Sequence, residues 1–238
     1  MDKEKLLSQL VEKLTKTYAD RLVSVVLYGS AASGDHHEKF SDLNILCVLN
    51  TIGPRELGES HEIFRWWREQ GSPAPLLLSE HEVRTSTDCF AIEFLDMQRS
   101  HRLLYGRDLV SGLVIDDSFY RAQVEHDLRA KLLRLRQKAP SVMSDPDLLR
   151  RLLLDSVSTF CVLFRHALAL HGVEPSARKR EVIEQARQRF GIDAVTFLKL
   201  LDVREENLKP REVEPVALLA PYLKSIGDVI DAVDRLEK

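Results

Sequence analysis

Leu6, Leu7, Leu10, Val11, Leu14 and Tyr18 recur at helical spacing, which predicts an amphipathic helix over residues 3–18. The pattern then changes. Leu22–Tyr28 is short, β-branched and almost wholly apolar, as expected of a buried strand, and it stops at Gly29. Ser30–Ser41 is small, polar and glycine-containing, hence a loop, and a second strand is expected over Asp42–Leu49. A helix through Glu56–Glu69 is closed by Gly71-Ser72-Pro73, and Pro75–Leu78 reads as a third strand. Ser79 precedes Glu82 by three residues, the spacing of a capping box that starts a brief helix. Cys89–Leu95 and Arg102–Tyr105 read as two more strands, the latter ending at Gly106. Short strands separated by helices predict a layered α/β arrangement.

After Asp116-Asp117-Ser118 the strand signals disappear. Glu125, Leu128, Leu132 and Leu135 keep a helical period, Pro140 and Pro146 mark a gap, and Asp145 is a candidate cap for the next helix. That helix, Leu148–His171, is apolar almost all round, as a helix at the centre of a bundle must be, and Gly172 and Pro175 end it. Further helices are expected near 178–190, 193–203 and 213–236. The chain therefore reads as two domains, residues 1–114 with strands and helices and residues 115–238 all-helical.

Composition narrows the function classes. The 34 Lys+Arg and 37 Asp+Glu leave a net charge of −3, and a pI near 6.3 gives no strong nucleic-acid signal. The 44% hydrophobic and 30% charged content is that of a folded chain rather than a disordered one. No stretch reaches the ~20 uninterrupted apolar residues of a membrane span, and Met1–Leu14 lacks the apolar core of a signal peptide. Cys47, Cys89 and Cys161 are odd in number, far apart and each set in an apolar run. They form neither a disulfide framework nor a metal knuckle, so buried thiols and a cytoplasmic location are expected, with no membrane partner. An oligomer is left open.

The chemistry is concentrated in Val25-Val26-Leu27-Tyr28-Gly29-Ser30-Ala31-Ala32-Ser33-Gly34-Asp35 and Ser41-Asp42-Leu43-Asn44-Ile45-Leu46-Cys47-Val48. A strand delivers Gly29-Ser30 into a turn, and a second strand opens on Asp42. A glycine lets backbone approach a triphosphate, and Ser30 with the amides after it suits phosphate oxygens. A strand period of two puts residues 42 and 44 on one face, where paired carboxylates would grip Mg²⁺. This order resembles the nucleotidyltransferase superfamily that includes DNA polymerase β, the aminoglycoside nucleotidyltransferases and the small toxin–antitoxin-type enzymes. Its signature is an apolar strand, Gly-Ser, a loop, then Asp-x-Asp/Glu, and here Gly29, Ser30, Ser33, Gly34, Ser41 and Asp42 match it. The run from Glu93-Phe94-Leu95-Asp96 to Leu104-Tyr105-Gly106-Arg107-Asp108 also looks like bacterial members.

The resemblance implies an α/β (α+β) nucleotidyltransferase-like domain with a mixed sheet, followed by a helical bundle. It implies Mg²⁺-dependent transfer of a nucleoside monophosphate from a nucleoside triphosphate to a hydroxyl on a small-molecule or protein acceptor. In that scheme Gly29, Ser30, Ser33 and Ser41 bind nucleotide, Asp42 is catalytic and ligates metal, Asn44 is the second metal position, and Glu93 or Asp96 stands in as base. The departures carry equal weight. Asn44 is neutral where a second carboxylate belongs, and Ala74–Leu78, aligned with the strand that brings a third, has none. One Asp with neutral amides makes a weak Mg²⁺ site until phosphates add charge. Metal-held charge is the main source of rate in this chemistry. The alternative is a catalytically inactive member that binds nucleotide or a protein partner, in the manner of an antitoxin or regulator.

Other motifs read more plainly. His36-His37-Glu38 is a solvated loop, since adjacent histidines do not converge on a metal. Arg165 and His171 are six apart and so lie on different faces of a helix. Arg129, Lys131, Arg134, Arg136 and Lys138 form a basic stripe on a solvated face, with a phosphate-neutralising role as its alternative. Of Trp66 and Trp67, one ring is expected on the sheet.

Overall fold

The computed structural model describes residues 2–32 and 43–236. The chain forms two compact units, Met1–Ser118 and Phe119–Lys238, whereas the sequence pattern places the division at 114/115.

In the first unit β1 (Leu22–Tyr28), β2 (Asn44–Leu49), β3 (Leu76–Ser79) and β4 (His101–Gly106) form a mixed sheet of order β3-β2-β1-β4. β1 runs antiparallel to β2 and β4, and β2 runs parallel to β3. A parallel pair needs a long crossover, and α2 (Pro54–Glu69) supplies it. One face of the sheet, through Val25, Leu27, Ile45, Cys47 and Leu49, packs on α2 and on α1 (Lys3–Tyr18), with Leu10, Leu14 and Trp67 buried between them. The other face, through Val23, Val26, Leu46 and Val48, packs on Val83 of α3 (Glu80–Thr85), Phe94 and Met97 of α4 (Ala91–Arg99), and Val110. Cover on both faces explains why β1 and β2 read as unbroken apolar runs. The Ser79 capping box is formed: Ser79 Oγ accepts from the Glu82 amide at 3.2 Å, and Glu82 Oε2 accepts from the Ser79 amide at 2.7 Å. Trp67 is fully buried, while Trp66 is half-buried with the Lys13 ammonium 4.9 Å from its ring centre.

One expected strand is a helix. Cys89–Leu95 does not add to the sheet; α4 begins at Ala91 and continues to Arg99. Its buried residues, Ala91, Ile92, Phe94 and Met97, have helical spacing. A window that stops at Leu95 misses Met97 and sees only an apolar run.

The second unit is all-helical: α5 (Tyr120–Val142), α6 (Pro146–Leu170), α7 (Lys179–Phe190), α8 (Ala194–Arg204) and α9 (Pro215–Asp234). Asp145 caps α6, its Oδ1 accepting from the amides of Asp147 and Leu148 at 2.9 and 3.0 Å. α6 touches α5, α7, α8 and α9. It is long and apolar enough to cross a membrane by length and composition, and half of that apolar window is buried within the protein. Pro140 lies inside α5 rather than in a gap. Both Pro140 and Arg136, whose carbonyl loses its helical donor, are exposed, so that carbonyl is open to solvent. Burial pushes the Cys47 and Cys161 thiols up to about 12. Cys89, expected to be buried, is exposed just ahead of α4.

Candidate functional site

Tyr28 ends β1 between two partners, Asn44 at the start of β2 and His101 at the start of β4. The next residue, Gly29, has φ +80°, which a side-chain-bearing residue adopts only with strain. Its carbonyl accepts from the Ala32 amide at 2.9 Å, turning the chain back within four residues. A Cβ built at Gly29 would lie 3.3 Å from Asn44 Nδ2, so the Asn44 side chain packs directly over the turn. Gly29, Ser30 and Asn44 are thus brought together. Glycine is required by the turn's left-handed backbone and favoured by the close approach of the amide.

Tyr28, Asn44, Leu46 and Val48 alternate onto the sheet face that α4 covers. Burial, followed by the negative charge of Glu93, raises the Tyr28 phenol above its ordinary range. Glu93, expected on a strand, is therefore exposed on α4 and near the end of β1. Asp96, on the same helix, is half-buried and 3.9 Å from Arg99 Nη1. Ser100 follows α4 and holds Gly29 from both sides: the Gly29 amide donates to the Ser100 carbonyl at 3.0 Å, and Ser100 Oγ donates to the Gly29 carbonyl at 2.9 Å. Nothing in Arg99-Ser100-His101 announces this contact, because its partner is 71 residues away.

Ser33, Ser41 and Asp42, together with His36-His37-Glu38, lie outside the described residues. The described residues do not fit a Mg²⁺ site by themselves. Among them no three His, Cys, Asp or Glu side chains gather so as to hold a metal. β3 sets Leu76, Leu77 and Leu78 beside Leu46, Cys47 and Val48, so the strand next to β2 carries no carboxylate. Asn44 contributes a neutral amide.

In the helical unit, Arg165 and His171 do not meet. Arg165 Nη2 donates to the Ala177 carbonyl at 2.9 Å, whereas His171 Nδ1 is 3.2 Å from Arg189 Nη2. Lys131, Arg134, Arg136 and Lys138 are exposed, and Arg129 is paired with Glu125 at 2.8 Å.

No family model and no curated protein sequence matches this chain. Among solved structures it is similar to the crystal structure of spectinomycin adenyltransferase AAD(9) from Enterococcus faecialis with ATP and spectinomycin. The likeness covers 96% of this chain and 99% of that one, with a TM-score of 0.61 and 12% identity. Together with the β1–Gly29–β2 arrangement, it shows that this protein has a nucleotidyltransferase-like fold.

Proposed function

We propose that this protein binds a nucleoside triphosphate at the Gly29–Ser30 turn and that its transfer chemistry has been largely given up. In this reading it is a nucleotide-binding, regulator-like module of the cytoplasm. One observation carries it: the strand positions beside the turn are neutral, with Asn44 opening β2 and no carboxylate on β3, whose Leu76–Ser79 pair with Leu46–Leu49. Gly29, Ser30, Ser33 and Ser41 would contact the phosphates, and Asp42 is the remaining carboxylate of the motif.

A second reading, Mg²⁺-dependent transfer of a nucleoside monophosphate to a hydroxyl on a small molecule or protein, is favoured by the position of Glu93. Its charge reaches the end of β1 at Tyr28, where a base would serve an acceptor hydroxyl. The similar adenyltransferase, solved with ATP and spectinomycin, supports the nucleotide half of both readings.

Thermal unfolding in the presence of each of the four nucleoside triphosphates tests the proposal. A ligand at about 100 times its Kd stabilises by about 2.7 kcal/mol, which is several degrees for a unit of this size. Ser30→Ala should shrink that shift. No shift with any triphosphate removes nucleotide binding, and steady pyrophosphate release on adding candidate acceptors establishes the transferase reading instead.

Asn44→Asp is expected to restore a charged neighbour for Asp42. ATP affinity measured by calorimetry should then rise about tenfold with Mg²⁺ present and stay unchanged in chelator, because ligand charge sets affinity for a hard cation. Equal affinities in both buffers would mean that residue 44 does not face the phosphates.

A further inference from the structure

We propose that Ser100 is a positioning residue that holds the turn after β1 in its nucleotide-receiving shape and ties that turn to α4. The nucleotide part of this rests on the reading given under Proposed function; the clamp itself does not.

Gly29 presents one donor and one acceptor on its main chain, and Ser100 engages both, at 3.0 and 2.9 Å. The Gly29 carbonyl also accepts from the Ala32 amide at 2.9 Å, so its second lone pair closes the turn itself. One residue thereby decides where the backbone goes as it leaves β1 with φ +80°. Ser100 is in turn held by the end of α4, its amide donating to the carbonyls of Asp96 and Met97 at 3.1 and 3.2 Å.

The next residue fastens the same corner. His101 Nδ1 lies 2.8 Å from the Met97 carbonyl, and Nε2 lies 3.3 Å from Asp108 Oδ2 and 3.2 Å from Ser111 Oγ. Ser111 Oγ donates to the same Asp108 oxygen at 2.6 Å. This trio is a fastening and not a nucleophile triad. The carboxylate accepts the serine hydroxyl's hydrogen bond directly, and it faces the same imidazole nitrogen as the serine. The α4–β4 corner is therefore pinned on one side to the 108–111 turn and on the other, through Ser100, to Gly29. A hydroxyl that merely capped a strand end would need no such backing. This one links the helix bearing Glu93 and Asp96 to the turn bearing Ser30.

The test uses the full chain and two variants, Ser100→Ala and Ser100→Thr. Hydrogen exchange should speed about fivefold at the Gly29 and Ala32 amides in Ser100→Ala, the effect of one net hydrogen bond. Exchange elsewhere in β1 should hold steady, and Ser100→Thr, which keeps the hydroxyl on an extended backbone, should restore the wild-type rates. ATP affinity, titrated by calorimetry with Mg²⁺, should fall roughly fivefold in Ser100→Ala and recover in Ser100→Thr. Unchanged exchange at Gly29 and Ala32 in Ser100→Ala overturns the clamp. Faster exchange with unchanged ATP affinity overturns the positioning role. Wild-type protein that binds no ATP while Ser100→Ala still speeds exchange overturns the nucleotide reading and leaves the clamp standing.

Discussion

Gly106→Ala is expected to unfold the N-terminal unit, or to leave it folded only at low temperature. Gly106 ends β4 with φ +78°, a backbone that costs an L-residue about 1–2 kcal/mol. Steric overlap costs more. A methyl there would sit 2.1 Å from the Val23 carbonyl oxygen, 2.9 Å from its carbon and 3.3 Å from Ser24 Cα. All three atoms belong to the backbone of β1. That strand has no room to yield, because it is buried on both faces and the Val23 carbonyl accepts from the Arg107 amide at 3.1 Å. Relieving the overlap means parting β4 from the central strand. The loss would be comparable to the ~5–15 kcal/mol that holds an ordinary domain together. The check is residue-level hydrogen exchange together with urea unfolding. Protection of the β1 and β4 amides should collapse in Gly106→Ala, and a urea midpoint equal to wild type would refute the steric argument. Gly29→Ala is the informative contrast. Among the described residues its methyl would meet only the Asn44 side chain at 3.3 Å, and an amide on a rotatable side chain can move aside. Its cost should therefore approach that of the backbone strain alone, about 1–2 kcal/mol.

Phe197→Ala should produce the corresponding loss in the helical unit. Phe197 on α8 is fully buried, with its ring centre 5.3 Å from Phe164 on α6 and 4.7 Å from Tyr222 on α9. Phe160 and Tyr222 extend the cluster edge-to-face at 5.8 Å. The Tyr222 hydroxyl is satisfied by Ser156 at 2.9 Å, which holds that ring beside Phe197. Large-to-small substitution of a buried phenylalanine costs about 3–5 kcal/mol, through lost transfer energy and the cavity left behind. Chemical unfolding followed by signals confined to the helical unit should show a loss of that size. A loss below about 1 kcal/mol would mean that the site repacks freely.

The sequence pattern locates nearly all of the helices and all four strands close to their observed ends, for an ordinary reason. Helix periodicity, capping side chains such as Asp145 and Ser79, and glycine stops are local signals, readable within a few residues. The exceptions are equally instructive. Cys89–Leu95 resembles a strand because its apolar residues are contiguous, and only the continuation through Met97 reveals the helical face. Pro140 resembles a break, yet it is accommodated near the end of an exposed helical turn.

The candidate site divides along the same line. Gly29, Ser30 and Asn44 stand out as a motif because the chain order strand–turn–strand carries the chemical message on its own. Glu93 is noticeable by its charge, but its surroundings suggest the wrong kind of element, so its nearness to Tyr28 follows only from α4 packing on the sheet. Ser100 and Gly106 carry no message that can be read locally. Leu104-Tyr105-Gly106 shows no local reason for its glycine, and the reason is a backbone carbonyl of β1 lying where a methyl would go.

By itself, then, the amino-acid order determined most of the helices and strands with their ends, and set out Gly29, Ser30 and Asn44 as a strand–turn–strand motif. Tertiary structure alone decided that β4 lies beside β1, that Ser100 grips Gly29, and that α4 carries Glu93 toward the turn. Those contacts join residues many tens of positions apart. Their free energy comes from burying apolar faces together and leaves no periodic trace in either segment.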